Sequence, residues 1–267
     1  MGVGPGIHWP GAMGDLDELQ RELAMKCGAV SELTRERARR LHATPLIHSV
    51  RRSEDVAKLM SGGHLLSRRQ RGVLPPQSSS EAELELDDVV YLSVGYMYEP
   101  GEFALIFAPA CEQTGAEASP WDTGIFVKRL THGWTTSARR ETHASYSLPA
   151  PQYRHYLVAC AAALFGDAAH YITGGPLVRE VPSNLRRGHR LARTFEARVR
   201  NQLGLSPPSL QAIFIDQVTI ATLSTQLISW IRELRNRGVV VRPVVTSRRS
   251  LARHIEDYLL DELGLAT

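Results

Sequence analysis

Two short apolar stretches each carry one side chain able to do chemistry. In TFEARVRNQLGLSPPSLQAIFI, residues 194–215, strand alternation puts Phe195, Ala197 and Val199 on one face and Thr194, Glu196 and Arg198 on the other. Glu196 therefore stands opposite the apolar face. A carboxylate there can stabilise a developing positive charge or take a proton. It can equally be a surface carboxylate paired with Arg198 or another nearby arginine. In LIHSVRRSEDVAKLMSGGHLLSR, residues 46–68, His48 lies inside an apolar strand. A histidine in that place either contacts a ligand or serves as a hydrogen-bonded core residue.

Other chemistries lack their signatures. There is no GxGxxG after a strand, no GxxxxGK[ST], no HExxH and no GxSxG, which argues against dinucleotide redox, P-loop, zincin and α/β-hydrolase sites. None of the ten histidines stands at a metal-ligand spacing with a second cluster, so no metal is expected. The cysteines Cys27, Cys111 and Cys160 are far apart and form no C-x-x-C pair, which fits a reducing cytoplasm.

Formal charge is +3, yet the charges are clumped. Seven arginines against two glutamates lie between Arg179 and Arg200, and five acids without a base fill Glu81 to Asp88. The arginine cluster would attract phosphates if it bordered a cleft; otherwise it is a solvated face.

The elements that must position Glu196 and His48 can be read from periodicity and caps. The start, MGVGPGIHWPGAM, is expected to be a flexible arm; it lacks a signal-peptide pattern, and Gly6 departs from the myristoylation pattern. A helix is predicted over about 16–41, opened by Asp15 and Glu18 and ended before Pro45. A strand at 45–50 follows, then a helix capped by Ser53 with Val56, Leu59 and Met60 on one side, and Gly62-Gly63 beyond its end. Residues 68–88 read as a long loop.

Strands are predicted at 89–95 and 103–108, joined as a hairpin through Tyr-Met-Tyr-Glu-Pro-Gly, and at 124–128, 194–199, 210–216 and 239–245. Helices are predicted at 153–165, stopped by Gly166, at 224–237, capped by Gly238, and at 251–263. No apolar run approaches the roughly 20 residues that cross a bilayer. Uneven strand spacing disfavours a doubly wound parallel sheet. The expected fold is α+β, a mixed and largely antiparallel split β-sheet with flanking helices, with an N-terminal arm and helix over 1–43 and a catalytic domain over 44–267.

The order of these segments resembles the DarT-type DNA ADP-ribosyltransferases and, more loosely, the diphtheria-toxin-like branch of that superfamily. The opening "His, then Gly-Gly-Leu-Leu-Ser" of the family stands here as His48, then Gly62-Gly63-His64-Leu65-Leu66-Ser67, with His64 inserted. The later "Ala-Glu-x-x-Val" followed by Pro-x-x-Leu stands as Phe195-Glu196-Ala197-Arg198-Val199, then Pro207-Pro208-Ser209-Leu210. Phe195 takes the place of the family's alanine. The likeness spans about residues 44–245.

The resemblance implies that NAD is the co-substrate, with no metal, and that Glu196 is the catalytic carboxylate beside the nicotinamide ribose. His48 would hydrogen-bond the adenosine ribose or the nicotinamide amide, with Ser49 and Leu65 beside the dinucleotide and the Gly62-Gly63 turn approaching it closely. An arginine is needed near the pyrophosphate, and Arg68, Arg69 and Arg71 follow that turn. Tyr91 and Tyr96 can stack on nicotinamide or belong to the core.

The resemblance further implies a toxin-like, cytoplasmic enzyme acting on single-stranded DNA or a nucleobase, with Arg186, Arg187, Arg190 and Arg193 on the nucleic acid, and it leaves an antitoxin partner open. Two other classes stay in view. One is an NAD glycohydrolase or an ADP-ribosyl or ribosyl transferase acting on a small metabolite. The other is a non-catalytic nucleic-acid-binding domain.

Overall fold

The computed structural model describes residues 32–50, 56, 60–73, 79–96, 101–114, 116–119, 122–149, 153–154, 157–158, 161–162, 165–175, 195–244 and 248–266. The N-terminal arm, most of the helix predicted at 16–41, the Ser53 cap and the cluster Arg186, Arg187, Arg190 and Arg193 lie outside these residues. The strands are β1 (Leu46–Val50), β2 (Met60–Ser61), β3 (His64–Leu66), β4 (Val89–Val94), β5 (Phe103–Phe107), β6 (Glu117–Ser119), β7 (Leu148–Pro149), β8 (Glu196–Arg200), β9 (Gln202–Gly204), β10 (Leu210–Asp216) and β11 (Val240–Val244). The fold is mixed α+β with a mostly antiparallel, divided sheet, as expected. The chain forms two compact units.

One unit takes in the described residues of Ala43–Leu74, Asp87–Ala116 and Ala197–Thr267. Six of its strands run in the order β11, β10, β5, β1, β4, β8. β5, Phe-Ala-Leu-Ile-Phe, is buried at all five positions. A strand covered on both faces reads as a continuous apolar run without alternation. It pairs antiparallel with β1 on one side and with β10 on the other.

β1 also pairs antiparallel with β4, so β1 separates β4 from β5 and the predicted hairpin between those two is not formed. Both flanking strands find their partner in a segment about 50 residues earlier in the sequence, and the connecting turn carries no information about that. β10 and β11 pair in parallel. Such a pair needs a crossover, supplied by the helix Thr225–Asn236, with Ser224 capping its start by accepting from the Leu227 amide. Gly238, with φ of +93°, follows that helix as predicted. β11 contains Pro243 and, among the described residues, has a neighbour on one side only. The closing helix is Arg248–Glu262.

A second sheet in this unit has the order β2, β3, β9. β2 and β3 form a tight hairpin, with Met60 opposite Leu65 and Ser61 opposite His64. Its two-residue turn is Gly62-Gly63, with φ of +56° and +81°. Two successive positive φ values define the turn whose twist matches that of paired strands, and glycine adopts them without a steric penalty. The pair is therefore a hairpin turn and not a helix terminus, and Met60 belongs to a strand. The long loop expected at 68–88 contains a short helix, Ser80–Glu83, capped by Ser79.

The other unit takes in the described residues of Met1–His42, Pro75–Leu86 and Glu117–Glu196. It is mostly helical. The helix Glu32–Arg39 tightens into a 3₁₀ turn, Arg40–Ala43, ahead of Pro45. The buried guanidinium of Arg154 donates to the carbonyls of Leu41 and His42, which the helix end leaves without an internal partner. The described residues of 153–165 are helical, and Gly166 follows them with φ of +81°.

The strand predicted at 124–128 is instead helical: Thr123–Ile125 continues into a π-helical turn, Phe126–Leu130. A short apolar run does not distinguish strand from helix by period alone. The Asp122-Thr123 pair just before it is the helix-start signal that decides. Further helices at Thr136–Tyr146 and Ala168–Thr173 and a short antiparallel ribbon of β6 and β7 complete this unit.

Candidate functional site

In the strand-rich unit, the imidazole of His48 is half-buried on β1. Its Nδ1 lies 2.8 Å from the carbonyl oxygen of Tyr91 on β4. The β1–β4 ladder pairs Leu46 with Val94 and Ile47 with Ser93, and beyond those two positions the Tyr91 carbonyl is taken up by the imidazole. A carbonyl only accepts, so Nδ1 carries the proton.

The ring is held neutral: burial lowers its pKa from the usual 6.5, the bond to Tyr91 opposes that, and the positive charge of Arg71 lowers it further. A neutral ring protonated at Nδ1 has a bare lone pair on Nε2. Nε2 of His48 is thus able to accept a hydrogen bond from a hydroxyl or an amide N–H.

The segment after β3 turns sharply. The amides of Arg71 and Val73 donate to the Arg68 carbonyl, and Ser67 Oγ accepts from the Gln70 amide. Arg71 Nε reaches the Ser67 carbonyl at 3.4 Å. Arg69 is clasped at 3.2 and 2.7 Å by both oxygens of Asp87, which engages its fork. Of the three arginines, Arg71 is the one whose charge acts on His48. Arg68 is half-buried at the head of the turn.

The remaining expected residues are distributed as follows. Ser49 Oγ accepts from the Gly101 amide at 2.9 Å, so it holds the approach to β5. Leu65 is a core side chain with 1% exposure. The Gly62-Gly63 turn is exposed, and the Gly63 carbonyl accepts from the Leu205 amide. Tyr91 supplies its carbonyl to His48 and has a half-buried side chain. His48, Tyr91, Arg68 and Arg71 therefore belong to one neighbourhood of β1, β4 and the turn after β3. Leu65 lies in the core, and Ser49 is directed to Gly101.

In the helical unit, Glu196 is the first residue of β8 and is only 6% exposed. Arg198 is 2% exposed, so the solvent-facing reading of this side of the strand is set aside. Thr123 grips the Glu196 carboxylate with two donors: its Oγ1 hydroxyl to Oε1 at 2.5 Å and its backbone N–H to Oε2 at 3.3 Å. A carboxylate taken out of water is costly unless hydrogen-bonded, and these donors supply the bonds. Phe195, next in the chain, packs edge-on against Tyr153 at 5.2 Å and lies 6.0 Å from Tyr171. That cluster anchors the entry to the strand.

The run that follows Thr123 reads as a strand in the sequence, and no local pattern links this residue to Glu196. At the described end of the arginine cluster, Arg198 is buried and Arg200 pairs with Asp88 at 3.3 Å. Among the described residues, no group of His, Cys, Asp and Glu is placed to hold a metal ion, and no helix is long and apolar enough to cross a membrane.

No protein-family model matches the chain, and no curated protein matches it. Among solved structures, it is similar to the DarT of Thermus sp. 2.9 in complex with NAD+, at 11% sequence identity and a TM-score of 0.38. The match covers 76% of this chain and 94% of that one.

Proposed function

We propose that this chain is an NAD-consuming ADP-ribosyltransferase, with residues 44–267 as its catalytic domain and Glu196 as its essential carboxylate. The observation that carries the reading is the burial of Glu196 at the start of β8 with both oxygens held by Thr123. An ionisable group desolvated and fixed in this way is a candidate for chemistry more than for solubility.

In the proposed reaction, the bond between the nicotinamide ring nitrogen and ribose C1′ breaks. Its electron pair leaves with neutral nicotinamide, and positive charge develops across C1′ and the ring oxygen. Glu196 accepts a hydrogen bond from the ribose 2′-hydroxyl and stabilises that charge. A nucleophile on the acceptor then bonds to C1′ and gives up its proton, for which the carboxylate is a base.

His48 accepts through Nε2 from a ribose hydroxyl or the carboxamide, and Arg71 or Arg68 faces the pyrophosphate. The acceptor we favour is single-stranded nucleic acid, on the charge of Arg186, Arg187, Arg190 and Arg193.

Nicotinamide release from NAD, followed with and without a single-stranded oligonucleotide and by mass spectrometry of the products, tests this reading. A modified oligonucleotide, free ADP-ribose and a modified small molecule separate transfer to nucleic acid from hydrolysis and from metabolite transfer. Glu196→Gln keeps shape and removes charge, so release should fall by about 10²- to 10³-fold. Undiminished turnover by this variant would reject the assignment.

A further inference from the structure

We propose that Thr123 is a positioning residue for the reaction, fixing the plane of the Glu196 carboxylate through its hydroxyl and its own amide. This rests on the reading of Glu196 given above. One residue contacts both carboxylate oxygens, at 2.5 and 3.3 Å, so rotation of the carboxylate about its terminal bond breaks both bonds together. Thr123 is 3% exposed, and in such surroundings each bond is stronger than it would be in water.

Thr123 is itself immobilised. The Phe126 amide donates to the Asp122 carbonyl and starts the helical turn. Phe126 and Val127 are buried, and Phe126 meets the ring of His143 edge-on at 5.2 Å. The β-branch of threonine restricts χ1, which keeps Oγ1 aimed at the carboxylate. Serine would supply the same donor from a freer side chain. A carboxylate that must face a developing cation needs such a supporting shell, because a small misplacement weakens a charge interaction that matters most in the transition state.

The test compares steady-state nicotinamide release by the wild type, Thr123→Val, Thr123→Ser and Glu196→Gln, each per folded molecule by circular dichroism. Valine keeps the branch and the amide but removes the hydroxyl. The expected result is a fall in kcat of about ten- to a hundredfold with KM within about twofold, and recovery of most of that loss in the serine variant. The acid limb of the valine variant's pH profile should also move to higher pH, since a donor to the ionised carboxylate is gone.

Wild-type kcat and an unmoved acid limb in the valine variant, with Glu196→Gln inactive, overturn the role of Thr123 and leave Glu196 standing. An active Glu196→Gln overturns the reading of Glu196 and the role of Thr123 with it. Should the valine variant fail to fold, Thr123→Ala, which leaves space and not an apolar clash, is judged by the same criteria.

Discussion

The neutral state of His48 can be tested without any substrate, through the pH dependence of folding. Burial lowers the pKa of His48 below 6.5, whereas in the unfolded chain it stays near that value. As pH falls below 6.5, the unfolded chain binds a proton at this position that the native state refuses. Unfolding then takes up a proton, and stability drops with falling pH until the native pKa is reached. The contribution is present in full above 6.5 and is lost below it. One proton corresponds to a slope approaching about 1.4 kcal/mol per pH unit.

His48→Gln keeps a donor for the Tyr91 carbonyl and cannot titrate. Urea unfolding of both proteins between about pH 7.5 and 5 isolates His48 by difference, since the other histidines and the carboxylates cancel. The wild type should lose stability more steeply below 6.5, with the two curves parallel above it. Parallel curves throughout would show that His48 titrates normally, and the assignment of Nε2 as a bare acceptor would fall with it.

Removing Arg71 by substitution with Ala should raise the His48 pKa toward 6.5, because a nearby positive charge is withdrawn; histidine NMR titration reads this, and an unmoved value excludes Arg71 as a neighbour in solution. Phe195→Ala should cost about 3 to 5 kcal/mol in urea unfolding by opening a cavity between Tyr153 and Tyr171, and a loss below about 1 kcal/mol would mean that the cluster does not anchor β8.

Much of the strand-rich unit is legible in the amino-acid order. Leu210–Asp216 and Val240–Val244 stand out as apolar runs, and the helix between them is marked by Ser224 at its start and Gly238 after its end. Pairing is another matter. Nothing local shows that β1 inserts between β4 and β5, because strand order is settled by contacts between distant segments.

The candidate site divides in the same way. Glu196 and His48 can be picked out by type and setting. The burial of Glu196 contradicts an alternation argument that assumes one wet face. Thr123, 73 residues away in the sequence, has no local pattern that links it to that carboxylate. The tautomer of His48 likewise depends on a carbonyl 43 residues on.

Pro243 has a bearing on self-association. β11 ends the six-strand order, and an edge of that kind is a template on which a strand from another molecule can add. Proline offers no backbone N–H, so β11 lacks one donor at its penultimate residue, which weakens a ladder that an incoming strand would extend. With the exposed Arg242 beside it, β11 carries two of the devices, a charge and a proline, that make a strand edge a poor template for fibrillar stacking.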